Sequence, residues 1–302
     1  MKVKKIVINI FIFCVATVVG FGAFTTLDSM NAFAMPFYSL KPQEITLRAT
    51  FYTTYSNSTN ERKSNIQLAS KYLNNTFVDV GGEFSFNKTV GERCQKRGFK
   101  MAKIIVNGEF VEGVGGGVCQ VSSTLYNAIL LAGLKVTEFH PHSLPVSYVA
   151  PSFDAMVNSG SADLRFINDT DNPIIINCYA DEDRITISIY GQKLDKTYKR
   201  VSVVKETIPA PENKEVFDEK GEYPDLFEGQ FKVLKYGKEG YKSEGYLIVN
   251  DGKNIYTKKI RSDKYNAIAG LIVWGKGVQK SQEQIEEEQN ANFSYKVFRK
   301  VL

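Results

Sequence analysis

Between Leu47 and Tyr55 apolar and polar residues alternate closely enough to predict a β-strand, and the next segment changes period. Ile66, Ala69 and Leu73 recur at helical spacing with Leu68 and Tyr72 beside them, so a helix is expected from an Asn60 cap to about Asn74. Short strands follow at Phe77–Val80 and Glu83–Asn87, parted by Gly81-Gly82. A hairpin of Gly98–Ile105 and Glu109–Glu112 turns on Asn107-Gly108. A second helix reads from about Gln120 to Ala132 and stops at Gly133. Strands are expected at Lys135–Phe139, Val146–Ala150, Asp163–Ile167, Ile174–Tyr179 and Arg184–Tyr190. The pattern over 47–192 is α+β, a mixed or antiparallel sheet with two main helices.

Beyond Gly191 the texture shifts. Residues 193–205, rich in Lys and Val, read as a linker, and 206–277 as an elongated all-β module punctuated by glycines. Asp251-Gly252 between Tyr246–Asn250 and Asn254–Ile260 is a hairpin signal. The tail, 278–302, is polar. At the other end, Lys2, Lys4 and Lys5 precede an apolar run from Ile6 to Phe24, about the length that crosses a bilayer. Ala32-Phe33-Ala34 also fits a cleavage site, so 1–34 is either a signal peptide or a retained membrane anchor, followed by a linker at 35–46. On both readings the working part is extracytoplasmic.

Composition narrows the function classes. The net charge of +5 is mild, and no basic stretch interleaves with stacking aromatics, which argues against nucleic acid. Outside the apolar run only Cys94, Cys119 and Cys178 remain, too few for a disulfide scaffold, although one pair plus a free thiol stays open. No Cys-x-x-Cys spacing supports a metal site, and no cofactor is implied.

The candidate chemistry centres on Gly115-Gly116-Gly117-Val118-Cys119-Gln120, a glycine turn that delivers a cysteine to a helix start. A helix N-terminus and a nearby imidazolium both favour the thiolate, the nucleophilic form. Backbone N–H groups at Gly116, Gly117 and Gln120 are candidates for an oxyanion site. The two histidines of the chain, His140 and His142, follow closely, and Asp154 or Asp163 could orient one of them. Plainer roles compete: a disulfide half or core residue for Cys119, a tight turn for the glycines, first-turn helix positions for Ser122 and Ser123, and packing for Tyr126 and Tyr148.

A family resemblance adds to this reading. Phe84-Ser85-Phe86-Asn87, Gly98-Phe99-Lys100, the stretch Gly115 to Ala128, Pro141-His142-Ser143, Asp154-Ala155 and Asp163-Leu164-Arg165-Phe166 occur in an order that resembles the VanW domain, over roughly Arg48 to Tyr190. Residues 206–277 resemble the G-five module through Glu206-Thr207-Ile208-Pro209, Gly237-Lys238-Glu239-Gly240, Asp251-Gly252-Lys253 and Val273-Trp274-Gly275. The resemblance implies a peptidoglycan L,D-transpeptidase with Cys119 as nucleophile and His142 as its partner. Its donor and acceptor would be stem peptides. Two positions depart from the pattern: Phe139, where Arg is usual, and Ser152, where Gly is usual. Two other classes remain open at this level, a wall-binding protein with an inert Cys119 and a cysteine carboxypeptidase or stem-peptide hydrolase.

Overall fold

Polar caps set where two of the helices begin, and a glycine turn starts the third. The computed structural model describes residues 45–106 and 108–276. The expected signal or anchor, most of the 35–46 linker, Asn107 of the hairpin turn and the 278–302 tail lie outside the described residues. In chain order the elements are β1 (Thr46–Thr54), α1 (Asn60–Leu73), β2 (Thr76–Val78), β3 (Glu83–Ser85), α2 (Phe86–Val90), β4 (Met101–Val106), β5 (Glu109–Val114), α3 (Val118–Leu131), β6 (Lys135–Glu138), β7 (Arg165–Ile167), β8 (Ile174–Ala180) and β9 (Arg184–Gly191). Then come β10 (Thr197–Ile208), β11 (Lys214–Phe217), β12 (Phe231–Lys235), β13 (Gly240–Asn250), β14 (Ile255–Tyr265) and β15 (Leu271–Trp274).

An antiparallel sheet in the order β1-β9-β8-β2 packs α1 and α3 against its inner face. Ile185, Ile187 and Ile189 of β9 alternate inward and are fully buried, as period-two patterning requires. They meet Val121, Leu125, Ala128 and Ile129 of α3, also fully buried. Each large aliphatic side chain placed there contributes about 1.5–3 kcal/mol. A second sheet, β3-β7-β6, and the hairpin β4-β5 flank this core. The later strands form β10-β13-β14, wholly antiparallel, and β11-β15-β12, in which β11 and β15 run parallel.

Four expectations change. Thr59, not Asn60, caps α1, its hydroxyl accepting from Arg62 N–H at 3.4 Å. The strand from Glu83 stops at Ser85, whose hydroxyl accepts from Lys88 N–H at 3.1 Å and starts α2. Val146–Ala150 is loop: it is bounded by Pro145 and Pro151, which lack the N–H a ladder needs. Most of the stretch read as a linker, 193–205, is β10, which pairs with β13 from Thr197↔Asn250 to Ile208↔Gly240.

That pairing matters because the β10-β13-β14 sheet lies on the first core. Leu247 and Val249 of β13 join the main hydrophobic cluster. Arg200 of β10 donates to Asn127 Oδ1 and stacks its guanidinium over the Phe51 and Phe153 rings, 4.2 and 4.8 Å from their centroids. Asn266 N–H donates to Ser143 O at 2.8 Å, close to the histidine segment.

Candidate active site

The glycine turn is conformationally obligatory. Gly115 and Gly117 have φ of +84° and +107°, in the left-handed region that favours glycine. Gly116 is excluded from change by space, since a Cβ there would lie 2.7 Å from the Ala102 carbonyl carbon and Lys103 O. Asn65, fully buried on α1, holds the turn by donating Nδ2–H to Gly116 O and Lys100 O, each at 3.0 Å. Helix α3 therefore starts at Val118, and Cys119 sits in its first turn, where the dipole favours an anion.

The serine-rich face of α3 ties the Cys119 turn to a distant loop segment. Ser122 Oγ donates to Ala155 O at 2.6 Å, Ser123 Oγ accepts from Ala155 N–H at 2.9 Å, and Asn127 Nδ2 donates to Phe153 O at 2.7 Å. These bonds place Asp154 beside the helix. Asp154 Oδ2 accepts from both the backbone N–H and the Nδ1–H of His142, each at 2.7 Å. Nδ1 is thereby committed, which leaves Nε2 as the open ring nitrogen, and the imidazole and the Cys119 thiol each favour the other's charged form. Cys119 Sγ also meets Val157 O at 3.4 Å. Cys119, His142 and Asp154 thus lie in series, the thiol half-buried and His142 and Asp154 only 5% and 1% exposed, an arrangement that suits a nucleophile, a base and its orienter. Tyr148 stands edge-on to the His142 ring, 81° between planes, at the half-buried rim, whereas Tyr126 is core.

The other candidates fall elsewhere. His140 bonds Glu138 Oε1 at 2.9 Å and is not part of the series. Asp163 accepts from Ser85 Oγ, Asn87 N–H and Arg165 Nε, a structural cap. Gln120 is not an oxyanion donor: its N–H donates to Gly117 O at 2.9 Å, its Nε2 to Thr53 Oγ1 and Thr54 O, and its Oε1 accepts from Arg62. Cys94, Cys119 and Cys178 are all free thiols. Burial pushes the Cys178 thiol up to about 12, so it stays protonated and inert.

Sequence patterns did not point to the residues behind Asp154. Tyr265 of β14 donates to Asp154 Oδ1 at 2.5 Å and accepts Ser152 N–H at 2.7 Å. Arg261 donates Nη1–H to Asp154 O at 2.6 Å and lies 3.5 Å from Oδ1, while binding Asp263 through Nε and Nη2 at 2.6 and 2.9 Å. The second module thus supplies the floor of the site. Among the described residues no buried side-chain nitrogen or oxygen lacks a partner.

The charges follow from this network. Burial opposes ionisation of both Cys119 and His142. The His142 hydrogen bond and charge, with Arg93, outweigh it and bring the thiol below its ordinary value. Bonds to Asp154 and Cys119 outweigh it at His142 and raise the imidazole to about 9. Burial alone would raise Asp154; His142, Arg261 and Tyr265 bring it below the usual carboxylate value. Both directions favour a thiolate–imidazolium pair over a neutral thiol and imidazole. Alkylation of Cys119 by iodoacetamide is therefore expected to persist from pH 8 to pH 6 with less than about tenfold loss. An ordinary thiol would lose roughly 100-fold over that interval. Turnover is expected to fall as the pH rises through about 9, where His142 gives up its proton and can no longer serve as an acid.

With this geometry in view, the comparisons are informative. Residues 61–190 match the family model described as VanW like protein. This segment is similar to the VanW-like family. Cys119, His142 and Asp154 all lie within it. The chain is 41% identical over 166 residues to the uncharacterized protein YoaR of Bacillus subtilis, covering 54% of this chain and 55% of YoaR. It is 27% identical over 143 residues to the vancomycin B-type resistance protein VanW of Enterococcus faecalis, covering 46% and 52%. The matched stretch spans about half the length of these curated relatives. Among solved structures, HP0197-G5 is 27% identical and covers 26% of this chain and 97% of its own, with a TM-score of 0.15. The IgA1 protease G5 domain is 21% identical and covers 28% and 92%, with a TM-score of 0.18.

Proposed function

We propose that this chain is a peptidoglycan L,D-transpeptidase working on the cell-wall side of the membrane. The carrying observation is the Cys119–His142–Asp154 series, with a thiolate favoured at the first turn of α3. The VanW-like domain supports a cell-wall role. In the first stage Cys119 Sγ attacks the carbonyl at the L-centre of the third residue of a tetrapeptide stem. The C–S bond forms, the C–N bond breaks, and His142 passes its proton to the departing amine of D-alanine. In the second, the side-chain amine of a neighbouring stem gives its proton to His142 and displaces the thiol, joining third residue to third residue. In this reading backbone N–H groups at the Gly116–Gly117 turn receive the developing oxyanion.

The test incubates the full chain and its Cys119→Ala variant with disaccharide-tetrapeptides and reads products by mass spectrometry. The expected result is a dimer that has lost one D-alanine, absent with Cys119→Ala. Tripeptide alone would replace transfer by carboxypeptidase action. No product from either folded protein would leave wall binding by an inert Cys119 as the better account.

A further inference from the structure

Two arginines border the nucleophile without an acidic partner. Arg62, in the first turn of α1, packs over Gly117, where an added Cβ would come within 3.0 Å of its Cγ. Arg93 packs over Gly115 in the same way, 3.0 Å from its Cβ. The two side chains thus rest on the two left-handed glycines that lead into Cys119. Both are half-buried, as are Cys119 and Tyr148, so the group forms a rim rather than a core. Their hydrogen bonds go to neutral groups. Arg62 donates to Ser58 Oγ and Gln120 Oε1, each at 2.8 Å, and Arg93 donates Nη1–H to Asn87 Oδ1 at 2.8 Å and Gly91 O at 3.1 Å. Asp163 acts on Arg93 through space but is already taken by Ser85, Asn87 and Arg165. Among the described ion pairs neither arginine meets a carboxylate, and the Nε–H groups and the Arg93 Nη2–H donors are uncommitted among the described bonds. Guanidinium is the side chain best shaped to take a carboxylate through two parallel bonds.

We propose that Arg62 and Arg93 form a carboxylate-binding subsite beside Cys119, which selects acyl donors whose carboxylate ends one residue beyond the scissile carbonyl. The assignment to a peptide donor rests on Cys119 being the acyl-transfer nucleophile; the anion site itself does not. In such a donor the leaving group is a free amino acid, whose carboxylate lies two bonds from the departing nitrogen. Binding that carboxylate orients the amide over Sγ. The amino acid then departs carrying its carboxylate and the proton from His142. A stem with a further residue beyond the bond would place a neutral amide where the guanidiniums wait, and would be disfavoured.

The subsite can be tested without substrate. Iodoacetate and iodoacetamide alkylate the same thiolate and differ in charge, so their rate ratio cancels any change in thiolate fraction. On the full chain the iodoacetate to iodoacetamide ratio at Cys119 is expected to exceed that of N-acetylcysteine in the same buffer by about tenfold, the equivalent of roughly 1.4 kcal/mol. It is expected to fall toward that baseline in Arg62→Gln and Arg93→Gln. A wild-type ratio equal to N-acetylcysteine would overturn the subsite even if neither variant folds. The peptide arm measures binding of disaccharide-tetrapeptide, with a free or amidated C-terminus, to Cys119→Ala by calorimetry. Tighter binding of the free acid supports donor selection. Equal binding of both beside a raised alkylation ratio would overturn the selection. Binding of neither would tell against the transpeptidase reading and leave a general anion site.

Discussion

Asp154→Asn is expected to lower turnover by about 10³–10⁴-fold, roughly 4–5.5 kcal/mol of transition-state stabilisation. The amide can keep its oxygen toward the His142 N–H groups, now 2.7 Å from Oδ2, so the ring need not move. What it removes is the negative charge that helps hold His142 up to about 9. The sign is unambiguous. Without that charge the imidazole pKa falls, the cation beside the sulfur is lost at neutral pH, and the thiol pKa rises. Alkylation of Cys119 at pH 6 should therefore drop in parallel with turnover. A variant that loses turnover but alkylates like wild type at pH 6 would show that Asp154 acts on something other than the pair.

Arg261→Met is expected to cost about 3–5 kcal/mol of stability, because it leaves Asp154 and Asp263 buried without their shared cation. For a chain of this size that is a fall in Tm of roughly 6–20 °C. Arg261→Lys should recover only part of it. A single ammonium cannot reproduce the two bonds to Asp263 together with the one to Asp154 O. The variant should also steepen the fall of Cys119 alkylation between pH 8 and pH 6, since without Arg261 the Asp154 carboxylate is less readily ionised and supports the His142 cation beside the sulfur less. Thermal unfolding and iodoacetamide rates across pH 5–9 measure both effects. A melting point unchanged in Arg261→Met would show that the two carboxylates find another partner or protonate without cost.

The parts of the site that could be read from residue order are those built locally. Gly115–Gly117 feeding Cys119 is a contiguous turn with obligatory φ values, and the apolar period of α3 follows directly. His142 was distinguishable from His140 only through the resemblance; geometry separates them because Glu138 captures His140 and Asp154 captures His142. Arg62, Asn65 and Arg93 carried no signal, since each reaches the turn from another element and nothing in its neighbours marks it. Arg261 and Tyr265 were hidden more deeply, because the 193–205 stretch resembles a linker in composition yet runs as β10 and brings β14 onto the first core. The two departures from the VanW pattern both face this module. Phe139 lies under the Arg261 guanidinium, 4.7 Å from its ring centroid. Ser152 has φ of +64°, a conformation that suits glycine, and its hydroxyl lies 2.7 Å from Ser243 Oγ of β13.

A protein is synthesised from its N-terminus, so Cys119, His142 and Asp154 all leave the ribosome before Ser243, Arg261 and Tyr265 exist. Until the last of these arrives, the carboxylate behind His142 has neither its arginine nor its tyrosine. Without β14 docked, His142 alone of these three supports is left to hold the Asp154 charge against burial.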